Sequence, residues 1–151
     1  MTGETIELDN GQRKKAEQLL SRLDKGLIEK PEDIVDDWIS VRELYDYNDL
    51  VSSLIDDETI ETERKAEYIP ISEIAGTTHR NAEVMDHRLR NALIRLLDGE
   101  FQVEHERPPK LEKFDDRYYV SVDGHHRVTA FKALGLEEMY VEYIEMPLEE
   151  L

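Results

Sequence analysis

Apolar residues in the first third of the chain recur every three or four positions, the spacing of amphipathic helices. Asn10 can cap a first helix whose Ala16, Leu19, Leu20, Leu23 and Leu27 share one face. Pro31 suits the first turn of a second, with Ile34, Val35, Trp38 and Ile39 as its stripe. Ser40-Val41-Arg42-Glu43 fits a capping box for a third, carrying Leu44, Tyr47, Leu50, Val51, Leu54 and Ile55. Residues 56–67 are acidic and poorly periodic, and read as a linker. Three apolar stripes must be buried somewhere, on the C-terminal part or on another copy of the chain. Trp38, Tyr45 and Tyr47 are expected to be core or interface anchors.

From residue 68 the period changes. Tyr68-Ile69-Pro70-Ile71 predicts a short strand at an edge or a strand start, because Pro70 cannot donate a ladder hydrogen bond. A helix capped by Asn81 follows, with Val84, Met85, Leu89, Ala92, Leu93, Leu96 and Leu97 on its face and Gly99 as its stop. Residues 111–114, a turn at Asp115-Asp116 and residues 117–122 predict a hairpin. A helix over residues 125–134 ends at Gly135, and residues 139–144 alternate as a last strand. The expected architecture is α+β: a helical extension with an acidic linker over residues 1–67, then a small mixed sheet with packed helices over residues 68–151.

The junction Asp123-Gly124-His125-His126-Arg127 gathers backbone amides at a helix start, where the peptide dipoles favour an anion. Gly124 permits a tight turn, Arg127 offers a planar fork to phosphate oxygens, and His125 and His126 can donate or titrate. The plainer alternative is that Asp123 caps the helix, Arg127 pairs with a carboxylate and a histidine packs in the core. Gly76-Thr77-Thr78-His79-Arg80 is a second polar cluster, read as a loop whose Thr78 and Arg80 either reach the same ligand or serve only the loop. His87 and His105 belong to no zinc spacing and read as surface residues.

Charge narrows the partners. The 151 residues hold 19 basic and 36 acidic side chains, for a net charge of -17, which repels nucleic acid at long range. Both parts share the excess, with nine basic against nineteen acidic residues in 1–67 and ten against seventeen in 68–151. Arg13-Lys14-Lys15 is the longest basic run and reads as a solvated helix face. The absence of cysteine excludes disulfides, thiolate catalysis, zinc-thiolate sites and iron-sulfur clusters. No basic-then-apolar leader opens the chain and no apolar run approaches a bilayer span, so a cytoplasmic protein is expected.

Residues 68–145 resemble the ParB/sulfiredoxin superfamily. The resemblance rests on Ile69-Pro70-Ile71-Ser72-Glu73-Ile74, the central helix, residues 109–122 and above all the run from Val122 through Asp123-Gly124-His125-His126-Arg127 to Leu136. It implies a nucleotide-binding domain, with ATP or CTP and magnesium as ligands. Gly124, His125, His126 and Arg127 would surround phosphate, Thr78 and Arg80 would reach it, and Asp123 would orient the turn or help hold magnesium. His125 stands where sulfiredoxins carry their catalytic cysteine, so sulfinic acid reduction is not expected. ParB partition proteins append a basic helix-turn-helix; here the sequence stops soon after the last strand, and none is expected. Asp123, Gly124, His125 and Arg127 match the Asp-Gly-His-x-Arg form of the free serine kinases. Phosphoryl transfer or hydrolysis would then involve Asp123 and His125, with Glu73 as the candidate base. Two other readings stand beside it: a non-catalytic module whose acidic surface or N-terminal helices recruit a protein partner or a second copy, and a ParB-like nuclease.

Overall fold

The structure is a computed structural model that describes residues 6–40, 64–79, 83–101, 107–114, 116–121 and 124–145. Its described residues form three α-helices and one six-stranded mixed sheet, an α+β architecture. Helix α1 (Asn10–Asp24) starts on a capping box in which the Asp9 carboxylate accepts from the Gln12 amide and the Gln12 side chain from the Asp9 amide. After a 3-10 turn at Pro31–Asp33 come strands β1 (Ile39–Ser40) and β2 (Lys65–Pro70). A second 3-10 turn, Ile71–Glu73, leads into β3 (Ile74–Thr77), followed by α2 (Asp86–Leu97). The hairpin β4 (Lys110–Phe114) and β5 (Arg117–Val120) precedes α3 (His125–Leu134), and β6 (Glu138–Glu145) closes the described fold.

The strand order is β1-β3-β5-β4-β6-β2, with β1, β3 and β5 mutually parallel. This order forces the sheet to curl. Flat, the step from β3 to β2 crosses four strand spacings, about 19 Å, while the link from Pro70 to Ile74 reaches at most about 14 Å fully stretched and is wound into a 3-10 turn. Helix α3 fills the hollow. None of its residues is exposed, and Val128, Ala130, Phe131 and Leu134 join Leu19 and Leu23 of α1, Leu89, Leu93 and Leu96 of α2 and sheet residues such as Leu111, Val120 and Val141 in one core. Lys132, half-buried on α3, sends Nζ to the carbonyls of Ile74 (2.6 Å) and Ile71 (3.4 Å), tying the crossing turn to the helix. Burial holds its amine below the usual lysine range.

Several expectations hold. The last helix spans residues 125–134 and stops at Gly135 in the left-handed conformation (φ 71°). The hairpin turns at Asp116 (φ 69°), β2 is a sheet edge with Pro70 at its end, and Gly99 (φ 68°) follows the end of α2. The α1 stripe is buried within the chain, Trp38 is a core residue, and Arg13-Lys14-Lys15 is solvated.

Others are corrected. Residues 31–39 are not a helix: the Asp33 carboxylate accepts from the Glu29 and Lys30 amides, which closes a single turn and holds its pKa below the usual carboxylate value. Ile39 and Ser40 then leave to pair with Gly76 and Thr77. Leu27 lies beyond the end of α1 and is exposed, its place in the core taken by Ile28. Residues 65–67, expected in a linker, are strand, because they continue the β2 ladder with β6. The polar cluster after residue 75 is not a loop from its start, since Gly76 and Thr77 complete the buried strand β3. Val84 and Met85 precede α2 rather than lie on it. The expected third helix, Tyr45, Tyr47, Asn81 and His105 lie outside the described residues.

The sheet makes one glycine irreplaceable. A Cβ on Gly76 would lie 1.7 Å from the Ile39 carbonyl oxygen, inside the β1 backbone. Gly76→Ala is expected to lower unfolding stability by at least about 1–3 kcal/mol in urea titrations. Gly11→Ala, in the first turn of α1 with only an ordinary 3.5 Å contact, should be neutral or raise it by up to about 1 kcal/mol.

Candidate functional site

Parallel strands β3 and β5 end side by side at Thr77 and Val120, and α3 begins against those ends. In sheets with parallel strands this edge is where ligands are commonly held, because loops and helix N-termini converge there. Gly124 is the N-cap of α3, in a left-handed conformation (φ 99°) that glycine adopts without penalty. A Cβ there would lie 2.5 Å from Pro109 Cβ, so the turn is pressed against the segment entering β4. Gly124 has no side-chain oxygen to cap the helix, and the first turn of α3 carries no carboxylate. Its side chains are His125, His126 and Arg127.

These three point to three different neighbours. His125 faces the strand ends, with Nε2 2.7 Å from Thr77 Oγ1. Thr77 Oγ1 also accepts from the His79 amide at 3.0 Å and lies 3.3 Å from the Val120 carbonyl. A carbonyl can only accept, whereas the single hydroxyl proton of Thr77 can go to Val120 or to His125 Nε2, so the His125 tautomer decides which of the two it serves. The same rule assigns His79: its Nε2 is 2.6 Å from the Ser121 carbonyl and must carry the proton. The two rings meet edge to face, 4.8 Å between centroids. His79 is thereby fixed as its Nε2–H tautomer.

His126 has the opposite tautomer. The Met85 amide donates to its Nε2 at 2.9 Å, so a neutral ring must keep its proton on Nδ1. Burial, with the nearby charges of Arg88 and His87, pushes its pKa down to about 4. Arg127 turns the third way, donating from Nη1 to the Arg107 carbonyl. The α3 start is thus fixed from three sides, by β3, by the entry to α2 and by the segment before β4.

Among the expected site residues, the structure gathers Gly124, His125, His126 and Arg127 around this helix start. Thr78 is close by and buried, its amide donating to the Val120 carbonyl at 2.9 Å. Glu73 is not brought in. It precedes β3, on the order of 10 Å along the strand from Thr77, near the end of α3 where Lys132 meets Ile74. Asp123 and Arg80 lie outside the described residues. Thr77, His79, Ser121 and Met85 are additional members of the site. The signal for the first two was the short apolar run Ile74-Ala75-Gly76 ending in hydroxyl and imidazole residues; nothing local marks Ser121 or Met85. Among the described residues no three histidine or carboxylate groups converge as a metal site, and no helix is long and apolar enough to cross a membrane.

Chemically, the described turn offers helix-start peptide dipoles and a guanidinium, which suit an anion. Comparison with protein-family models, curated proteins and solved structures gave no significant match to this chain.

The His126 geometry gives a pH prediction. Above about pH 6.5 the ring is neutral in both the folded and the unfolded chain, and it contributes no slope. Between 6.5 and about 4 the unfolded chain takes up a proton that the folded one refuses, so stability falls as pH falls. His126→Gln keeps an acceptor for the Met85 amide without this titration. Urea midpoints measured from pH 7 to pH 4.5 should therefore drop less steeply for His126→Gln than for the parent; equal slopes would contradict the assignment.

Proposed function

We propose that the chain binds the phosphates of a nucleoside triphosphate, ATP or CTP with magnesium, at the start of α3, as a domain of the ParB/sulfiredoxin kind. The observation that carries this reading is the α3 N-terminus itself: a left-handed glycine cap with no capping side chain and no carboxylate in the first turn, set against the ends of two parallel strands. The helix dipole and the Arg127 guanidinium stabilise anionic oxygens. Magnesium would neutralise phosphate charge, with Asp123 of the motif as its candidate protein contact. The resemblance of residues 122–136 to the superfamily motif supports the same assignment.

Hydrolysis or transfer of the terminal phosphate would need a proton acceptor near the ligand. The imidazoles of His125 and His79 lie at the strand ends where such an acceptor is needed, whereas Glu73 lies too far along β3 to share their site. Direct nucleic-acid binding, and with it the nuclease reading, is disfavoured by the net charge of -17.

A second reading has an observation of its own. His126 and Arg127 already hold Met85 and Arg107 in place, which a purely structural turn would also require. In that case the chain is a non-catalytic module that recruits a protein partner, and nucleotides leave it unaffected.

Titration calorimetry separates the two. ATP or CTP with magnesium is expected to bind, and Arg127→Ala to weaken the complex about tenfold or more, the effect of losing one charge-assisted contact. Removing magnesium should weaken binding as well, because the bare polyanion meets a strongly acidic protein. No heat with any ribonucleotide, or an unchanged affinity in Arg127→Ala, would refute the phosphate site.

A further inference from the structure

The entry to α2 is held from outside the helix. Its N-cap, Met85, makes no side-chain cap, so the start of the helix is placed by its neighbours. On one side the Val84 amide donates to the Glu29 carbonyl at 2.8 Å. On the other the Met85 amide donates at 2.9 Å to Nε2 of His126, in the first turn of α3. The Glu29 carbonyl is itself fixed. It shares one peptide group with the Lys30 amide, which donates to the Asp33 carboxylate at 3.0 Å, and the Glu29 amide donates to the same oxygen at 2.8 Å. Arg22 of α1 secures the Asp33 carbonyl at 2.8 Å.

These contacts form a continuous line from an exposed carboxylate to a half-buried imidazole. A carboxylate that accepts from one end of a peptide group polarises it and strengthens the acceptor at the other end, so the Asp33 charge reinforces the bond to Val84. Val84 and Met85 are consecutive, so displacing the first moves the second. We propose that Asp33 is a positioning residue for the start of α3, acting on His126 through the Glu29-Lys30 peptide and the Val84-Met85 segment. The N-terminal part of the chain then has a task at the candidate site: α1 and the 3-10 turn after it set where the first turn of α3 sits against α2. This holds whichever anion binds there, or none, and so stands apart from the phosphate reading. A second tie separates the line from the stability of the fold. Arg90 bonds to Asp24 at 2.7 Å and to Asp86 at 3.0 Å, joining the end of α1 to the start of α2 without Asp33.

The His126 imidazole reads this line directly, by NMR titration of the full-length protein. A neutral ring that accepts from an amide resists protonation, and the charges of Arg88 and His87 on α2 add to the effect. Asp33→Ala is expected to loosen the Met85 donor and raise the His126 midpoint by about one unit or more, from its low parental value toward 6.5. The Met85 amide resonance should move with it. Asp36→Ala removes the same charge from an exposed position three residues on, and should leave both signals where they are in the parent. Asp33→Asn keeps an acceptor oxygen without the charge, so its shift should have the same sign and a smaller size; it decides the question if the alanine variant does not fold. A residue that served stability alone would lower the urea midpoint and leave His126 unmoved. Folded Asp33→Ala and Asp33→Asn proteins with the parental His126 midpoint and Met85 amide would overturn the proposal, as would an equal response to Asp36→Ala.

Discussion

Helix α3 has no exposed residue, and the rest of the fold is arranged to make that possible. Its sequence is not that of an apolar rod: it includes two histidines, an arginine, a threonine and a lysine. Enclosing such a helix requires each of these groups to find a partner, since a buried donor left unpaired costs about 1–3 kcal/mol. Thr129 returns its hydroxyl to the carbonyls of His125 and His126. Lys132 meets the carbonyls of the turn between β2 and β3, His125 meets Thr77, His126 meets the entry to α2, and Arg127 meets the entry to β4. The polar residues of α3 are therefore the fastenings between the helix and the sheet that curls around it.

That arrangement links stability to the candidate site. The residues that fix the start of α3 are also those that surround its open end, so the position of the helix dipole is set by strand ends and not by a mobile loop. A site built this way is preorganised: its donors are held before a ligand arrives, and little ordering remains to be done on binding. The local chemistry also runs against the global charge. A surface with a net charge of -17 discourages polyanions at a distance, while the first turn of α3, free of carboxylates, favours them on contact. Small anionic ligands paired with a cation suit that combination better than extended nucleic acid does.

How much of this was legible in the sequence depends on what each signal measures. The helix from His125 to Leu134 could be bounded because glycines flank it, and glycine marks left-handed positions directly. The β4-β5 hairpin was equally plain, from its Asp115-Asp116 turn. What failed was local reasoning about pieces whose structure is imposed from elsewhere. Val35, Trp38 and Ile39 have helical spacing, yet Ile39 is claimed by a parallel partner in β3 that lies far along the chain. β3 itself is four residues long and contains a glycine that is required only because β1 approaches so closely, a fact no window of sequence contains. The motif turn was recognisable, but the divergence of His125, His126 and Arg127 toward three neighbours was not, because it depends on helix rotation within a packed core. Glu73 was proposed from its place next to a strand, and the direction of β3 carries it to the wrong end.

The central claim is that the start of α3 is an anion site at which phosphates sit on the helix axis. Backbone amide NMR tests it most directly. On addition of a magnesium nucleotide, the account predicts that the largest shifts fall on the amides of Gly124, His125, His126 and Arg127, with smaller ones at Thr78 and His79 and none at the far end of the helix around Lys132. Saturable binding that leaves the amides of residues 124–127 unmoved would contradict it.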